Sequence, residues 1–448
     1  MTYVERLAEL IVAADADTLD DVTQERLRSF LFYNLAMAMA GWSPDDVAWK
    51  AIRGLSGDGG DAQLLVTGEW RALADAAFIN AAMITARGQN DTYMPAHGHI
   101  GCVVIPAVLA VAQARGATGA DVLAALAAGY ETQGRVGRPV GDRVVARGLR
   151  ATSLFGVFGA AAGAARCLRL SAAQTADALA IAASMAGGTM QCWADGSMEW
   201  RIEVAHAARA GLTAALLAEA GVTGARHALE GPAGFYAAFA GVVPDLDEGT
   251  GAIRDVLFKP LPGCAINQAP AHALLGLDDA DPRSPAEVAA IEVALSPSQH
   301  TYPGTTNRGP FDSPSGAIMS TAFMMAAAQR DRALFQRHFE EEHASVDLAR
   351  WGERVSVVAD PALASGSTRV TRRLSEGTKQ VATCTDRDVF VFDWAGTCRI
   401  VERLVPEVAV PDAAARLGRL RDAIAVVGQR DTVDAIMAIV ATGGGVQA

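Results

Sequence analysis

Apolar residues recur at helical spacing through the first half of the chain, and almost no stretch there alternates as a strand would. Helices are predicted over 3–14, 20–39, 70–87, 103–115, 150–168, 171–186 and 203–220. Asp20 and Asp21 supply N-cap chemistry for the second helix, and Thr118 with Asp121 has the spacing of a capping box. The chain up to about residue 255 therefore predicts an all-helical domain.

The pattern changes near Lys259, where Pro260, Pro262 and Gly263 interrupt the chain. Strand-like runs follow at 288–295, 354–358, 367–374, 380–384 and 388–392. Helices are predicted among them at 267–276, 316–328 and 331–338, and the tail from about residue 403 is helical again. We therefore expect a large all-helical domain, residues 1–258 with 403–448, and a smaller inserted α+β domain, residues 259–402.

Composition restricts the class of protein. The 448 residues are 51% hydrophobic, which is enough for a large core. The net charge is −12 and the chain has no basic block, so we expect no nucleic-acid partner.

The most apolar stretches, such as 154–165, are shorter than a membrane span, and no secretory leader is found. The six cysteines form no CxxC pair, so neither disulfides nor zinc are predicted. The expectation is a cytoplasmic protein without a membrane partner.

Lysine is rare in this chain. Lys50, Lys259 and Lys379 are the only lysines among 38 basic residues, and arginine fills nearly every other cationic position. A lysine in such a background is a candidate for a role that needs a tuned pKa, because lysine can lose its proton and arginine cannot. The alternative is that all three are ordinary surface residues.

Familiar motifs are absent: the sequence has no P-loop, no HExxH and no GxSxG. Four polar segments remain, each at the end of a predicted element: the loop 88–100, the helix start at 150–153, the loop 195–201 and the junction 259–264. Taken singly, they are explained as a solvated turn, an N-cap, a charged loop and a rigid linker. His97 and His99 stand too close together for easy binding of one metal, so no metal site is predicted. Together, the four segments predict a site at the domain junction.

The order of these segments carries a resemblance. His99-Ile-Gly-Cys-Val-Val-Ile-Pro106, Gly129-Tyr-Glu131 with Arg135-Val-Gly137, the stretch 152–165 and Phe258-Lys-Pro-Leu-Pro-Gly-Cys264 resemble, in sequence order, motifs of the MmgE/PrpD family. That family includes 2-methylcitrate dehydratase, cis-aconitate decarboxylase and iminodisuccinate epimerase. The match runs from about residue 3 to about residue 430.

The resemblance implies a helical domain with an inserted α+β lid domain, a homodimer and cofactor-free chemistry on a small di- or tricarboxylate. In such chemistry a base removes a proton next to a carboxylate while cations hold the carboxylates. The positions that match the family's functional residues, together with neighbouring candidates, are His99, Lys259, Asp91 and Tyr93 for catalysis and Thr92, Arg150, Trp200, Arg201 and Cys264 for substrate binding.

Several positions depart from the family pattern. The usual leading Asp is Gly88, a usual His is Arg150, a usual Lys is Trp200 and another His is Gln268. Arg150 cannot shuttle protons but can clamp a carboxylate, and Trp200 offers stacking area and one N–H. Proton transfer therefore falls to His99 and Lys259.

The reduced set of titratable groups leaves three functions open. The first is a lyase of the dehydratase type. The alternative is an epimerase or other isomerase of an amino- or imino-dicarboxylate such as iminodisuccinate, which needs no acid for a leaving group. The second alternative is an inactive dimer that binds dicarboxylates.

Overall fold

Helices build the first 220 residues of the chain, as the apolar spacing predicts. The computed structural model describes residues 1–246, 251–390, 392–429 and 433–441. The α-helices of the first part are α1 (Tyr3–Ala13), α2 (Asp21–Gly41), α3 (Val47–Arg53), α4 (Leu73–Thr85), α5 (Gly101–Arg115), α6 (Gly119–Gly137), α7 (Gly141–Ala146), α8 (Ala151–Cys167), α9 (Ala172–Ser184), α10 (Gln191–Asp195) and α11 (Glu199–Glu219).

Two of the predicted helix starts are confirmed by their caps. The Asp20 carboxylate accepts a hydrogen bond from the Thr23 amide at 2.9 Å, and Thr118 forms the capping box with Asp121. The helix predicted from residue 70 begins later, at Leu73. Residues 70 and 71 instead form a short strand, β2 (Trp70–Arg71), which pairs with β1 (Ala62–Gln63).

Helix α8 lies at the centre of the helical domain. It packs against α5, α6, α9 and α11, and nearly all of its residues are buried. Its alanines and glycines let the neighbouring helices approach closely, so the core is built from many short side chains rather than a few aromatic ones.

A short pair of antiparallel strands connects the polar loop 88–100 to the junction segment 259–264. Strand β3 (Thr92–Tyr93) pairs with β4 (Val256–Leu257), with Thr92 opposite Leu257. Lys259 follows β4 by two residues, so this pairing brings the loop that carries His99 beside Lys259 although they are far apart in sequence.

The second part is α+β, as predicted. Its sheet has the order β6-β5-β7-β8, with β5 parallel to β6 and the other neighbours antiparallel. Its strands are β5 (Val288–Leu295), β6 (Val355–Ala359), β7 (Ser367–Leu374) and β8 (Lys379–Thr385). Its helices are α12 (Gln268–Ala280), α13 (Pro297–His300), α14 (Pro314–Met319), α15 (Thr321–Asp331), α16 (Gln336–Glu340), α17 (Val346–Gly352) and α18 (Asp386–Phe390).

Three predictions in this part are wrong. The helix predicted over 331–338 begins only at Gln336 and ends at Glu340, because Arg332 adopts a left-handed φ of 51° that ends α15. The strand predicted at 388–392 is helix α18 through residue 390, and residue 391 lies outside the described residues. Val389 and Phe390 pack in a small cluster with Leu257 and Ala269 rather than extending the sheet. The single helix predicted over 316–328 is two helices, because the hydroxyl of Ser320 caps a new helix by accepting from the Phe323 amide at 3.0 Å.

The helices after the sheet pack against the first part of the chain. Helix α19 (Trp394–Glu402) packs on α2, with the Trp394 ring 5.5 Å from that of Phe32. Helices α20 (Ala413–Ala425) and α21 (Val433–Val440) follow in the same core. No helix among the described residues is both long and apolar enough to cross a membrane.

Asp386, at the start of α18, makes the stability of this protein depend on pH. Its side chain is buried, and within the described residues neither carboxylate oxygen has a hydrogen-bond partner. Burial raises its pKa from 3.8 to about 7. Between these values the folded state keeps a proton that the unfolded chain releases, so rising pH lowers the free energy of unfolding, by about 4 kcal/mol in total.

Asparagine carries no charge at any pH, so we expect Asp386→Asn to remove the loss of stability that wild type shows as pH rises. The variant should melt at a higher temperature than wild type at pH 8 and show no such advantage at pH 4. Melting curves across this pH range measure the effect. Glu376→Gln, on an exposed turn, is the matched control. A parallel pH dependence of wild type and Asp386→Asn would contradict the assignment.

Candidate active site at the domain junction

A cavity of about 470 Å³ lies where the helical and α+β parts meet. Segments 85–99, 142–152 and 193–200 line it from the helical side, and segments 259–266, 298–302 and 318–319 complete it. Six of the nine residues selected from the sequence are part of its lining: Thr92, His99, Arg150, Trp200, Lys259 and Cys264. A larger groove, of about 640 Å³, lies between α1 and α6, but none of the nine residues lines it.

His99 is held in one tautomer. Its Nδ1 lies 2.9 Å from the Asp91 backbone carbonyl oxygen, which can only accept, so Nδ1 carries the proton. The Thr92 hydroxyl, 3.1 Å from Nδ1, donates its own hydrogen to the Asn90 carbonyl and accepts from the ring. The second ring nitrogen, Nε2, is therefore left with its lone pair.

The surroundings of His99 keep it neutral. The ring lines the cavity and is half-buried. This burial lowers the pKa of His99 well below its usual 6.5, and the positive charges of Lys259 and Arg150 lower it further. A neutral imidazole with an available Nε2 is suited to accept a proton from a ligand.

Asp91 anchors the loop from behind instead of facing the cavity. One carboxylate oxygen accepts from the Gly101 amide at 2.9 Å, and the other accepts from the Tyr130 hydroxyl at 2.5 Å. Burial raises the pKa of Asp91, against hydrogen bonds from Tyr130 and Gly101 that lower it. Its side chain fixes the start of α5, and its backbone carbonyl orients His99. The Asp91 side chain therefore lies outside the lining of the cavity.

This anchor depends on the close approach of Gly101. A Cβ atom at residue 101 would lie 2.3 Å from the Asn34 side-chain nitrogen and 2.5 Å from the Tyr130 hydroxyl. We expect Gly101→Ala to lower the free energy of unfolding by about 1–3 kcal/mol, because these buried groups must shift. Gly276→Ala is the matched control, since nothing lies within 4 Å of its Cβ and alanine favours helix α12 by about 0.5–1 kcal/mol. Denaturant unfolding measures both, and an equal response would contradict the packing argument.

Lys259 is buried with its ammonium group beside backbone carbonyls. Its Nζ donates to the Gly88 carbonyl at 2.6 Å and to the Gly263 carbonyl at 3.3 Å, so one of its three hydrogens is left for a ligand. Burial lowers its pKa from 10.5 to about 8. Gly88 takes a left-handed φ of 63°, a conformation that glycine adopts without strain.

Arg150 lies against two indole rings. Its guanidinium carbon is 5.1 Å from the centre of the Trp193 ring and 5.8 Å from that of Trp200. It forms an ion pair with Glu203 at 3.0 Å and donates to the Trp200 carbonyl. The Trp200 indole in turn donates to the Ser315 hydroxyl at 3.0 Å, which joins it to the α+β domain. These contacts give Arg150 a fixed position and partly neutralise its charge.

Tyr93 and Arg201, both selected from the sequence, lie outside this lining. The Tyr93 ring packs toward α6 at Gly134. Arg201 forms ion pairs with Asp46 at 2.6 Å and Glu340 at 3.4 Å, behind the Trp200 ring. The helix turn that begins near residue 199 points the consecutive side chains of Trp200 and Arg201 in different directions, which sequence adjacency does not reveal.

Other residues of the lining were not selected from the sequence. Trp193 and Tyr302 are the largest of them, and burial raises the pKa of the Tyr302 hydroxyl. Cys264, which was selected, also lines the cavity, and burial raises the pKa of its thiol although Lys259 opposes this. His97 lies in the lining, paired with Asp142 at 2.6 Å. Among the described residues, no group of three or more His, Cys, Asp or Glu side chains is placed to hold a metal ion.

An imidazole, an ammonium and a guanidinium thus line one cavity where the helical and α+β parts meet, an arrangement that is chemically able to bind anions and to move protons. Sequence comparison then gives the family. A model of the MmgE/PrpD N-terminal domain matches residues 5–245, more than half of the 448 residues. The chain belongs to the MmgE/PrpD family.

The relatives that match include a cis-aconitate decarboxylase-like protein of Aspergillus oryzae, 34% identical over 193 residues. Human cis-aconitate decarboxylase is 33% identical over 201 residues. These alignments cover 41% and 42% of this chain, and 38% and 40% of the respective relatives. The chain therefore aligns with about two fifths of the length of either relative.

Proposed function

We propose that this protein is a lyase of the dehydratase type, which removes a proton next to a carboxylate and eliminates a β-substituent. The observation that carries the proposal is the neutral imidazole of His99, with Nε2 available, in one cavity with an ammonium and a guanidinium. The similarity to cis-aconitate decarboxylases supports a lyase of the dehydratase or decarboxylase type.

In the proposed reaction, His99 Nε2 takes the proton from the carbon next to a carboxylate. The electron pair left on that carbon spreads into the carboxylate, where the third N–H of Lys259 stabilises the added negative charge. As the alkene forms, the C–O bond at the next carbon breaks. The imidazolium of His99 returns its proton to the departing hydroxyl, so the products are an alkene and water and the base is regenerated.

Arg150 has the role of a carboxylate clamp in this scheme. Its position between Trp193 and Trp200 is fixed before any ligand arrives, so little rotamer entropy is lost on binding. Since it stays charged, it orients the ligand and moves no proton. No cofactor is needed for this sequence of steps, in keeping with what the family resemblance implies.

Epimerisation is the second candidate function. It is favoured by the placement of the Lys259 amine and the His99 imidazole in the lining of one cavity, where burial lowers the pKa of Lys259 to about 8 and so eases proton exchange. An amine and an imidazole in one cavity could each serve one face of an acidic carbon. The reaction would then end with a proton returned to the opposite face and no bond to oxygen broken.

Proton NMR in deuterium oxide separates these functions. The purified protein is incubated with citrate, 2-methylcitrate, cis-aconitate, malate and iminodisuccinate. New alkene signals or water addition indicate a dehydratase, and loss of a carboxylate indicates a decarboxylase. Deuterium exchange with inversion and no other change indicates an epimerase. Binding by thermal shift without exchange on any compound would overturn the enzyme proposal and favour a dicarboxylate-binding protein.

The homodimer that the family resemblance implies stays a prediction. Light scattering coupled to size-exclusion chromatography would measure a mass near twice the 46.6 kDa of one chain if it holds.

A further inference from the structure

The fixed positive charge of the cavity is small. Among the described lining residues, only Arg150 and Lys259 are arginine or lysine. Glu203 already neutralises part of the Arg150 charge, and His99 is neutral for the reasons given above. The cavity therefore offers one cationic partner each for two carboxylates. A third carboxylate would be enclosed without a cation, which is costly.

One part of the lining is apolar, whereas threonine, serine and amide side chains line other parts. Trp193 and Trp200 lie beside the clamp, their ring centres 5.2 Å apart. Val145, Ile266, Ile318 and Met319 add aliphatic and thioether surface. Covering such surface with an apolar group removes it from water and strengthens binding, whereas a charged group there would lose its hydration.

The cavity is also larger than a simple dicarboxylate requires. Its volume of about 470 Å³ corresponds to about sixteen waters at roughly 30 Å³ each. A four-carbon dicarboxylate has only about eight non-hydrogen atoms, so two carboxylates bound to Arg150 and Lys259 leave room beside the tryptophans.

We propose that the ligand of this cavity is a dicarboxylate that carries an apolar alkyl or aryl substituent, and not a tricarboxylate. This inference rests on the proposed function, because it assigns the two carboxylates to the cations of the same site. The substituent lies against Trp193 and the aliphatic residues. It replaces the third carboxylate that a citrate-like molecule would place there.

Calorimetric binding of four unreactive compounds tests this ligand class. Succinate, tricarballylate, isobutylsuccinate and benzylsuccinate share one core and differ only in the substituent: hydrogen, carboxymethyl, isobutyl or benzyl. We expect the isobutyl and benzyl compounds to bind at least tenfold more tightly than succinate, and tricarballylate to bind no better than succinate. Tightest binding of tricarballylate, or binding of none of the four, overturns the proposal.

Trp193→Ala tests which surface holds the substituent. The expected result is a fall of at least fivefold in the preference for benzylsuccinate over succinate. The readout is the ratio of the Kd for succinate to the Kd for benzylsuccinate. If the substitution also weakens carboxylate binding by Arg150, both Kd values rise by the same factor and the ratio does not change. Trp70→Ala removes an exposed tryptophan far from the cavity and should leave the ratio unchanged. An unchanged ratio in Trp193→Ala overturns the assignment of the substituent to this ring.

Turnover is followed separately with malate, citrate, 2-isobutylmalate and 2-benzylmalate, which carry the same substituents on a core that can lose water. Alkene formed faster from the isobutyl and benzyl compounds than from malate or citrate supports the ligand class and the lyase. Tight binding of benzylsuccinate with no alkene from any malate overturns the lyase and supports the ligand class. Alkene from citrate together with tightest binding of tricarballylate overturns the ligand class and supports the lyase.

Discussion

Replacing His99 by asparagine is expected to lower kcat by a factor of about 10² to 10⁴, the usual contribution of a general base. Asparagine can keep the hydrogen bond to the Asp91 carbonyl through its side-chain nitrogen, in place of Nδ1. It lacks the lone pair of Nε2. The substitution therefore removes the proposed base and leaves the loop tied to Asp91 and Thr92.

Initial rates with the carboxylate identified by the NMR panel measure this effect, and circular dichroism with melting curves checks the fold. His272→Gln is the matched control because His272 is exposed on α12, away from the cavity. A kcat within about threefold of wild type in a folded His99→Asn protein would rule out His99 as the base.

Replacing Lys259 by methionine is expected to lower kcat by about 10² to 10³, the usual cost of losing one donor to a developing negative charge. Methionine fills similar volume in the buried site, and the loss is electrostatic. Lys379→Met is the matched control, since Lys379 is exposed at the start of β8. Equal activity of Lys259→Met and wild type would leave the family assignment intact and remove Lys259 from the mechanism.

The pH profile of kcat/KM decides how Lys259 acts. If the ammonium stabilises charge and His99 is the base, activity is flat across neutrality and falls as pH rises through about 8, where Lys259 loses its proton. On the acid side it falls only well below pH 6.5, where His99 becomes protonated. If Lys259 were the base, activity would instead rise through about pH 8. We expect the first profile.

The same lysine links stability to pH in the opposite sense from Asp386. The folded state loses the Lys259 proton at about pH 8, while the unfolded chain holds it up to its usual 10.5. Between these values the unfolded state binds more protons, so rising pH favours the folded state, by about 3 kcal/mol in total. Lys259→Met should lack this rise, which chemical denaturation at pH 8 and pH 10 measures.

The structure shows the contacts of three residues that differ from the family pattern, Arg150, Trp200 and Gln268. The guanidinium of Arg150 is held by an ion pair with Glu203 and by contacts with two indole rings. Trp200 occupies its position as a wall of the cavity and as a hydrogen-bond link to Ser315 across the domain junction. Gln268 fastens the turn that carries Cys264 by bonding to both backbone groups of Leu261.

Sequence alone determined the elements whose causes are local. The caps at Asp20 and Thr118, the helical first half, the strand over residues 288–295 and the change of pattern at Lys259 all depend on residues a few positions apart. It also selected His99 and Lys259 as candidates, through the family resemblance and the rarity of lysine, and both line the cavity.

Only the tertiary structure decided which way those side chains face. Asp91, Tyr93 and Arg201 lie next to lining residues in sequence, yet their partners are Tyr130, the surface of α6 and Asp46, all distant along the chain. Helix α18 likewise exists because Val389 and Phe390 pack against Leu257 and Ala269. The physical reason is the same in each case. The local sequence is compatible with more than one conformation, and burial and contacts with residues distant in sequence stabilise one of them.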